Sequence, residues 1–319
     1  MRQLIIAFLL LVGNTCVKAQ QRPQFTQYML NKYYENPAYA GLERSLSIFT
    51  SYRDQYSLLL GNPRTFYLGV DMPFYLWNGA LGFAIYNQKS GILSNTNIKV
   101  SYNYVTGTSY GFFSFGGRLG MDFMNIDGNA IITPDGSYEG VFDHNDPFLE
   151  VVKFSGAGLS WELGAFFMGK DIQAGINLID LPSHSFKFGN STFNKSFVGN
   201  SYFQYRYFLN EELELIPSFM IKTDISVTQI DLGILGRYRD NLFGGVNFRG
   251  YNSTSIDALS FIIGTNMGKK YKISYSYDFG LSDLSDVNQG THEIMLSYNL
   301  QKLIGIGLPP KIIYNPRDL

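Results

Sequence analysis

The chain has 319 residues with 25 basic and 26 acidic side chains, a net charge of −1, so no basic excess points to a nucleic-acid partner. Aromatic residues make up 16% of it (26 Phe, 23 Tyr, 2 Trp), 33 residues are Gly, and only 16% are charged, against about 25% in an ordinary soluble protein. Beyond the N-terminus no apolar run approaches the roughly 20 residues of a transmembrane helix, which excludes helical membrane spans.

Residues 1–19 read as a secretory signal: Arg2 gives the positive end, Leu4 to Val12 the apolar centre, and Val17, Lys18 and Ala19 a small-residue cleavage site. The mature chain is expected to start at Gln20. The one cysteine, Cys16, falls inside this signal, and the bulky Thr15 before it argues against lipoprotein processing. Cleavage leaves 23 basic against 26 acidic residues, a net charge of −3, and no thiol. An exported chain without cysteine needs no disulfides, which suits the periplasm or the outer membrane.

A polar, Tyr-rich lead, residues 20–44, comes next and is read as an N-terminal extension. Alternating segments then recur, with candidate strands at 45–53, 64–72, 79–87, 96–106, 112–124, 158–168, 170–178, 196–208, 211–221, 223–238, 241–251, 254–267, 270–280 and 290–300. They number fourteen, an even count of the kind single-chain outer-membrane barrels prefer. In "TNIKVSYNY" Ile98, Val100, Tyr102 and Tyr104 share one face, while Asn97, Lys99, Ser101 and Asn103 share the other. Phe113, Phe115, Leu119, Met121 and Phe123 likewise oppose Ser114, Gly116, Arg118, Gly120 and Asp122.

Period-2 alternation also fits a secreted sandwich or solenoid. Three features favour a transmembrane antiparallel β-barrel with a polar lumen. The polar faces are small and Gly-rich rather than crowded with charge, several strands reach the length a tilted membrane strand requires, and Tyr and Phe gather near strand ends as in an interfacial girdle. Closure would also leave no unpaired strand edge in lipid. Two segments fit less well. In 223–238 the apolar parity switches between Val227 and Ile230, read as a bulge, and 254–267 is apolar on both faces near Ile262. Residues 125–157 form a long Gly-, Pro- and Asp-bearing loop that would cover or enter one mouth. The tail, 301–319, cannot extend the last strand past Pro309 and Pro310 and is placed at the periplasmic end.

Candidate chemistry is sparse. His144, His184 and His292 lie far apart with no metal-ligand spacing, and "DHNDP" (143–147) lacks the ordered ligands and central Gly of a calcium loop. His292 with Ser276 or Ser297 could be imagined as a nucleophile pair, but nothing in their parity joins them. "GGRLGMD" has no phosphate-binding lysine and sits in a strand pattern. No enzyme, metal or cofactor is expected. The inward polar candidates are Lys99, Arg118, Asp122, Glu162, Arg206, Asp231, Arg249, Lys272, Asp278 and Glu293. Their mixed signs suit a lumen laced by ion pairs or filled by a plug better than an ion-selective pore.

"QFTQYMLNKYYENPAYAG" (24–41) resembles the opening of the PorP/SprF family of type IX secretion membrane proteins. "YRDQY" (52–56), "GNPRT" (61–65), "YDFGLSDLS" and "GTHEIMLSY" are similar to later segments of that family, with Lys32 standing where proline is common and Tyr56 where tryptophan is. The resemblance implies an outer-membrane barrel of the type IX secretion and gliding apparatus, without enzyme activity. It implies a role in exporting a large surface adhesin or anchoring it through its C-terminal domain, with other type IX components and outer-membrane lipid as partners. The alternative is a porin or hydrophobic-solute transporter. Phe25, Tyr28, Asn31, Tyr33, Tyr34, Asn36, Pro37 and Tyr39 are the candidates either to meet a protein partner or to plug the barrel.

Overall fold

A computed structural model describes residues 23–304 apart from 75–76, 129–132, 134–136, 138–144, 146–152, 181–184, 189–190, 225–226, 252–254, 282–284 and 286. Seventeen strands follow a short helix α1 (Lys32–Glu35) and a single 3-10 turn (Pro37–Tyr39): β1 (Ser47–Asp54), β2 (Arg64–Phe74), β3 (Gly79–Ser90), β4 (Leu93–Thr108), β5 (Gly111–Asp127), β6 (Lys153–Gly169), β7 (Ile172–Ile179), β8 (Ser185–Phe188), β9 (Ser191–Asn194), β10 (Val198–Tyr205), β11 (Tyr207–Phe208), β12 (Leu213–Thr223), β13 (Thr228–Tyr238), β14 (Leu242–Tyr251), β15 (Ser255–Met267), β16 (Tyr271–Gly280) and β17 (Thr291–Asn299). The strands β8 and β9 form a separate hairpin, and β11 prolongs β10 past Arg206. The other fourteen make one antiparallel sheet, closed where β1 pairs with β17 and continuous where β10 pairs with β12.

Closure gives every barrel strand a paired neighbour on both sides, the condition a sheet must meet to stand in hydrocarbon; residues 153–161 of β6 run past the end of β7 and pair with β5 alone. The connections divide by end. On one side the turns are of two to four residues (75–78, 109–110, 170–171, 209–212, 239–241, 268–270), and the chain enters β1 and leaves β17 on that same side. On the other side lie four longer connections, 55–63, 128–152, 180–197 and 281–290, beside three short ones, 91–92, 224–227 and 252–254. Short turns mark the periplasmic end of an outer-membrane barrel and long loops the exterior end. The 17-residue strands β5 and β6 outrun the 9–11 residues a tilted span requires and stay paired up to Asp127 opposite Lys153.

The outer wall is apolar. Val100, Leu119, Leu163, Ile176, Phe261, Ile263 and Leu296 all point outward and are exposed, Ile263 by 66%. Exposed Trp77, Tyr104, Tyr110, Tyr207, Tyr238 and Tyr271 gather at the turn side, where an amphipathic ring suits the lipid headgroup level.

Two sequence expectations change. The parity switch within 223–238 is a turn, not a bulge: β12 runs to Thr223, and Asp224 accepts the Val227 N–H on its side chain (2.7 Å) before β13 begins at Thr228. The register irregularity sits instead between Arg249 and Gly250, in the β14–β15 pair. The second change concerns Ile262, which faces the lumen while Phe261 and Ile263 face outward. Together with Phe49, Phe166, Ile216, Leu235 and Phe243 it gives the turn-side half of the lumen an apolar lining, clustered with buried residues of the N-terminal segment. The polar lining is concentrated toward the loop side.

Candidate functional site: the N-terminal segment in the lumen

Residues 23–42 lie inside the barrel. Asn31 caps α1 by accepting the Tyr34 N–H (3.3 Å), and Asn36 starts the 3-10 turn by accepting that of Ala38 (2.9 Å). Helices this short have no stability of their own, so the wall must hold them in place. The eight residues singled out here from the sequence, Phe25, Tyr28, Asn31, Tyr33, Tyr34, Asn36, Pro37 and Tyr39, are all buried. Phe25 and Tyr34 meet edge to face at 4.7 Å, Tyr34 meets Tyr67 of β2 at 5.0 Å, and Tyr39 meets Phe166 of β6 at 5.2 Å. Such pairs add about 0.5–1.5 kcal/mol each beyond area burial.

At the loop side the segment is held by charge. Thr26 donates its N–H to Glu293 (2.8 Å) and its hydroxyl to Asp278 (2.7 Å), and accepts from the Arg53 guanidinium (2.9 Å). Arg53 in turn pairs with Asp278 (2.7 Å) and Glu293 (3.0 Å), while Arg249 pairs with Asp231 (2.9 Å) and reaches Asp278 at 3.5 Å. Arg53 stands on β1, Glu293 on β17 and Asp278 on β16, so this cluster spans the seam where the first strand meets the last.

Farther down, Arg118 donates to the carbonyls of Tyr33 and Tyr34 and pairs with Glu162 (2.9 Å), which also accepts from Lys99 (2.9 Å). Asn177 caps the Glu35 carbonyl (2.8 Å), and Lys222 pairs with the Glu35 carboxylate (2.9 Å). The Asn36 amide donates to the Ala165 and Ile176 carbonyls, and that of Asn103 to the carbonyls of Ala38 and Ala40 (2.9 and 2.7 Å). At the turn side Gly41 gives its N–H to Asp71 (2.7 Å) with φ +66°, and a Cβ there would stand 2.3 Å from that of Ala80. Both the conformation and the close approach require glycine. The segment thus touches the loop-side ends of the wall at Thr26 and reaches the turn side at Gly41.

Of the inward candidates, Lys99, Arg118, Asp122, Glu162, Asp231, Arg249, Asp278 and Glu293 are buried in the lumen. Asp122 pairs with Lys195, which also meets Asp180 at 3.3 Å. Lys272 is half-buried near the turn-side end of β16. Arg206 departs from expectation: it sits at the turn-side rim, bonded to the Lys170 carbonyl (3.0 Å), 3.8 Å from Asp171 and stacked on Phe208. Sequence reasoning missed Arg53, Glu35, Asp71 and Lys222. Arg53 was recoverable, because it shares strand parity with Phe49 and Ser51.

Nothing here joins the imagined nucleophile pair. His292 bonds the Tyr275 hydroxyl (2.7 Å) on the outer face, while Ser276 and Ser297 share the inward parity of Asp278 and Glu293. Among the described residues no group of His, Cys, Asp and Glu is placed to hold a metal ion. His144, His184 and all of "DHNDP" except Asn145 lie outside the described residues.

This architecture is that of a closed fourteen-strand outer-membrane barrel carrying its own N-terminal segment in the lumen. Among solved structures the chain is similar to the Pseudomonas putida toluene transporter TodX (TM-score 0.49, 10% identity, covering 88% of this chain and 95% of that one). It is also similar to the Acinetobacter baumannii outer-membrane protein Omp33 (TM-score 0.44, 8% identity, 80% and 95%). No curated protein matches it in sequence. The type IX secretion system membrane protein PorP/SprF profile matches residues 17–298, and the chain belongs to that family. It is an outer-membrane component of type IX secretion, with other components of that system as its partners.

Proposed function

We propose that this protein is a sealed docking barrel: it assists export of a large adhesin, or retains it at the cell surface, through the adhesin's C-terminal domain, and performs no chemistry of its own. The observation that supports this reading is the filled lumen. A porin or hydrophobic-solute transporter requires a continuous path, whereas here residues 23–42 bond to opposite walls and their aromatic side chains occupy the axis. The eight N-terminal residues then act as a plug rather than as exposed anchors, and partner recognition falls to the mouths. On the loop side the connections 55–63, 128–152, 180–197 and 281–290 offer the most chain for it.

Affinity isolation of the protein from native outer membrane, in mild detergent, tests the reading. A large surface adhesin and type IX components should co-purify at fixed ratio. Recovery of lipid alone would contradict it and favour the transporter alternative.

A further inference from the structure

The turn-side mouth holds a ring of polar and charged side chains. Gln173, Glu214, Arg237 and Lys272 each stand one residue in from a turn-side strand end, on β7, β12, β13 and β16, and Arg206 lies at the same end between β10 and β11. From inside, Lys32 reaches down to this level and donates to Gln173 at 2.6 Å, with its ammonium 5.6 Å from the Tyr39 ring.

The ring's charges do not cancel locally. Arg237 pairs with Glu214 (2.8 Å) and Arg206 approaches Asp171 (3.8 Å). That leaves Lys32 and Lys272 with Glu43, among the described residues, as the carboxylate acting on both. Glu43 is already engaged, accepting from the Tyr39 hydroxyl (3.1 Å), the Ser47 hydroxyl (3.2 Å) and the Asn299 amide (2.7 Å). The Lys272 side chain makes no hydrogen bond and no ion pair with another described residue, although it is half-buried and points inward. Burial, reinforced by the cations of Lys272, Arg237 and Arg206 and opposed by Glu43, pushes the Lys32 pKa down to about 7. A carboxylate arriving beside the two lysines would favour their charged forms.

We propose that this vestibule is a binding site for an acidic peptide segment of a periplasmic partner, whose carboxylates seat between Lys32 and Lys272. Lys32 and Lys272 stand on the inner side of the wall rather than on its lipid-facing side, which favours a peptide over an anionic lipid headgroup. It does not depend on the adhesin reading, since its partner approaches from the opposite end to the long loops.

The test uses the purified full-length barrel and a fluorescent oligo-glutamate peptide, with oligo-glutamine as the neutral control. Saturable binding of the acidic peptide, weakened by salt, is expected. K272Q should weaken it about tenfold, the equivalent of one charge-assisted hydrogen bond, and K32Q/K272Q should weaken it further. Because the Lys272 side chain bonds no described residue, K272Q should keep the parent's heat-modifiable migration on gels, so that lost binding is not lost folding. Unchanged affinity in K272Q and K32Q/K272Q, equal binding of oligo-glutamine, or displacement of the peptide by phosphatidylglycerol nanodiscs would each overturn the proposal. The last would assign the site to a lipid headgroup.

Discussion

In-frame deletion of residues 23–42 should turn a silent protein into a conducting one. Planar bilayers holding the intact barrel are expected to carry no sustained open-channel current, because the lumen is crossed by buried Tyr28, Tyr33, Tyr34 and Tyr39, hydrogen-bonded to walls as far apart as β4 (Tyr33 to Ser101, 2.8 Å) and β12 (Tyr28 to Ser218, 3.0 Å). Removing the segment leaves a fourteen-strand cylinder, wider than the eight-strand barrels whose side chains fill the interior, so a large and stable current should appear. The deletion also strips the partners from the apolar turn-side lining around Phe49, Ile216 and Phe243, and a barrel that fails to assemble would give no current for another reason. A milder variant separates the two cases. N36A/N103A removes the side-chain bonds to the Ala165, Ile176, Ala38 and Ala40 carbonyls and the Asn36 cap on the Ala38 N–H while leaving the aromatic side chains in place, and should produce brief, flickering openings. A steady current from the intact protein, no larger in either variant, would point to the transporter alternative.

Loss of Arg53 should be the most damaging single substitution in the wall. Its guanidinium is 2% exposed and pairs at once with Asp278 and Glu293. R53M leaves two buried carboxylates facing each other, with Arg249, 3.5 Å from Asp278, the one cation paired with either among the described residues. Breaking a buried pair from one side costs about 3–5 kcal/mol, and here the cost falls on the β1–β17 seam and on the Thr26 anchor together. The midpoint of heat-induced unfolding, read from the gel shift of folded to unfolded protein, should fall sharply. R53M/E293Q should recover part of the loss, since removing the second charge relieves the uncompensated carboxylate. If R53M matched the parent, the cluster would carry no structural weight.

The wall was largely legible in the sequence, and the contents of the lumen much less so. Period-2 alternation assigns faces from each strand alone, so "TNIKVSYNY" could be oriented with Lys99, Ser101 and Asn103 inward before any neighbour was known, and all three are buried there. Alternation cannot distinguish a turn from a bulge when both shift parity, which is why Val227 and Ile230 misled. Ile262 defied the pattern for a different reason. An inward apolar residue reads as an error in a polar lumen until the aromatic N-terminal segment it packs against is in view, and that contact spans more than 200 positions of chain. Arg206 obeyed inward parity, but distance from the strand end decides between lumen and rim, and boundaries are the weakest part of any strand reading. The hairpin β8–β9 escaped notice because four-residue strands fall below the length at which alternation is distinctive. The N-terminal segment was recognisable by its aromatics and by its family resemblance, whereas the wall partners of its carbonyls, Arg118, Asn103 and Asn177, follow only from the closed barrel.

Thiol accessibility tests the occupied lumen most directly, because the sequence has one cysteine, Cys16, and in a C16S background an introduced thiol reports alone. In folded protein, L60C, at a fully exposed loop position, should react rapidly with a bulky maleimide. A38C, at a position with no exposed surface, should react only after heat unfolding. Equal labelling rates at the two positions in the folded protein would mean that residues 23–42 do not fill the barrel.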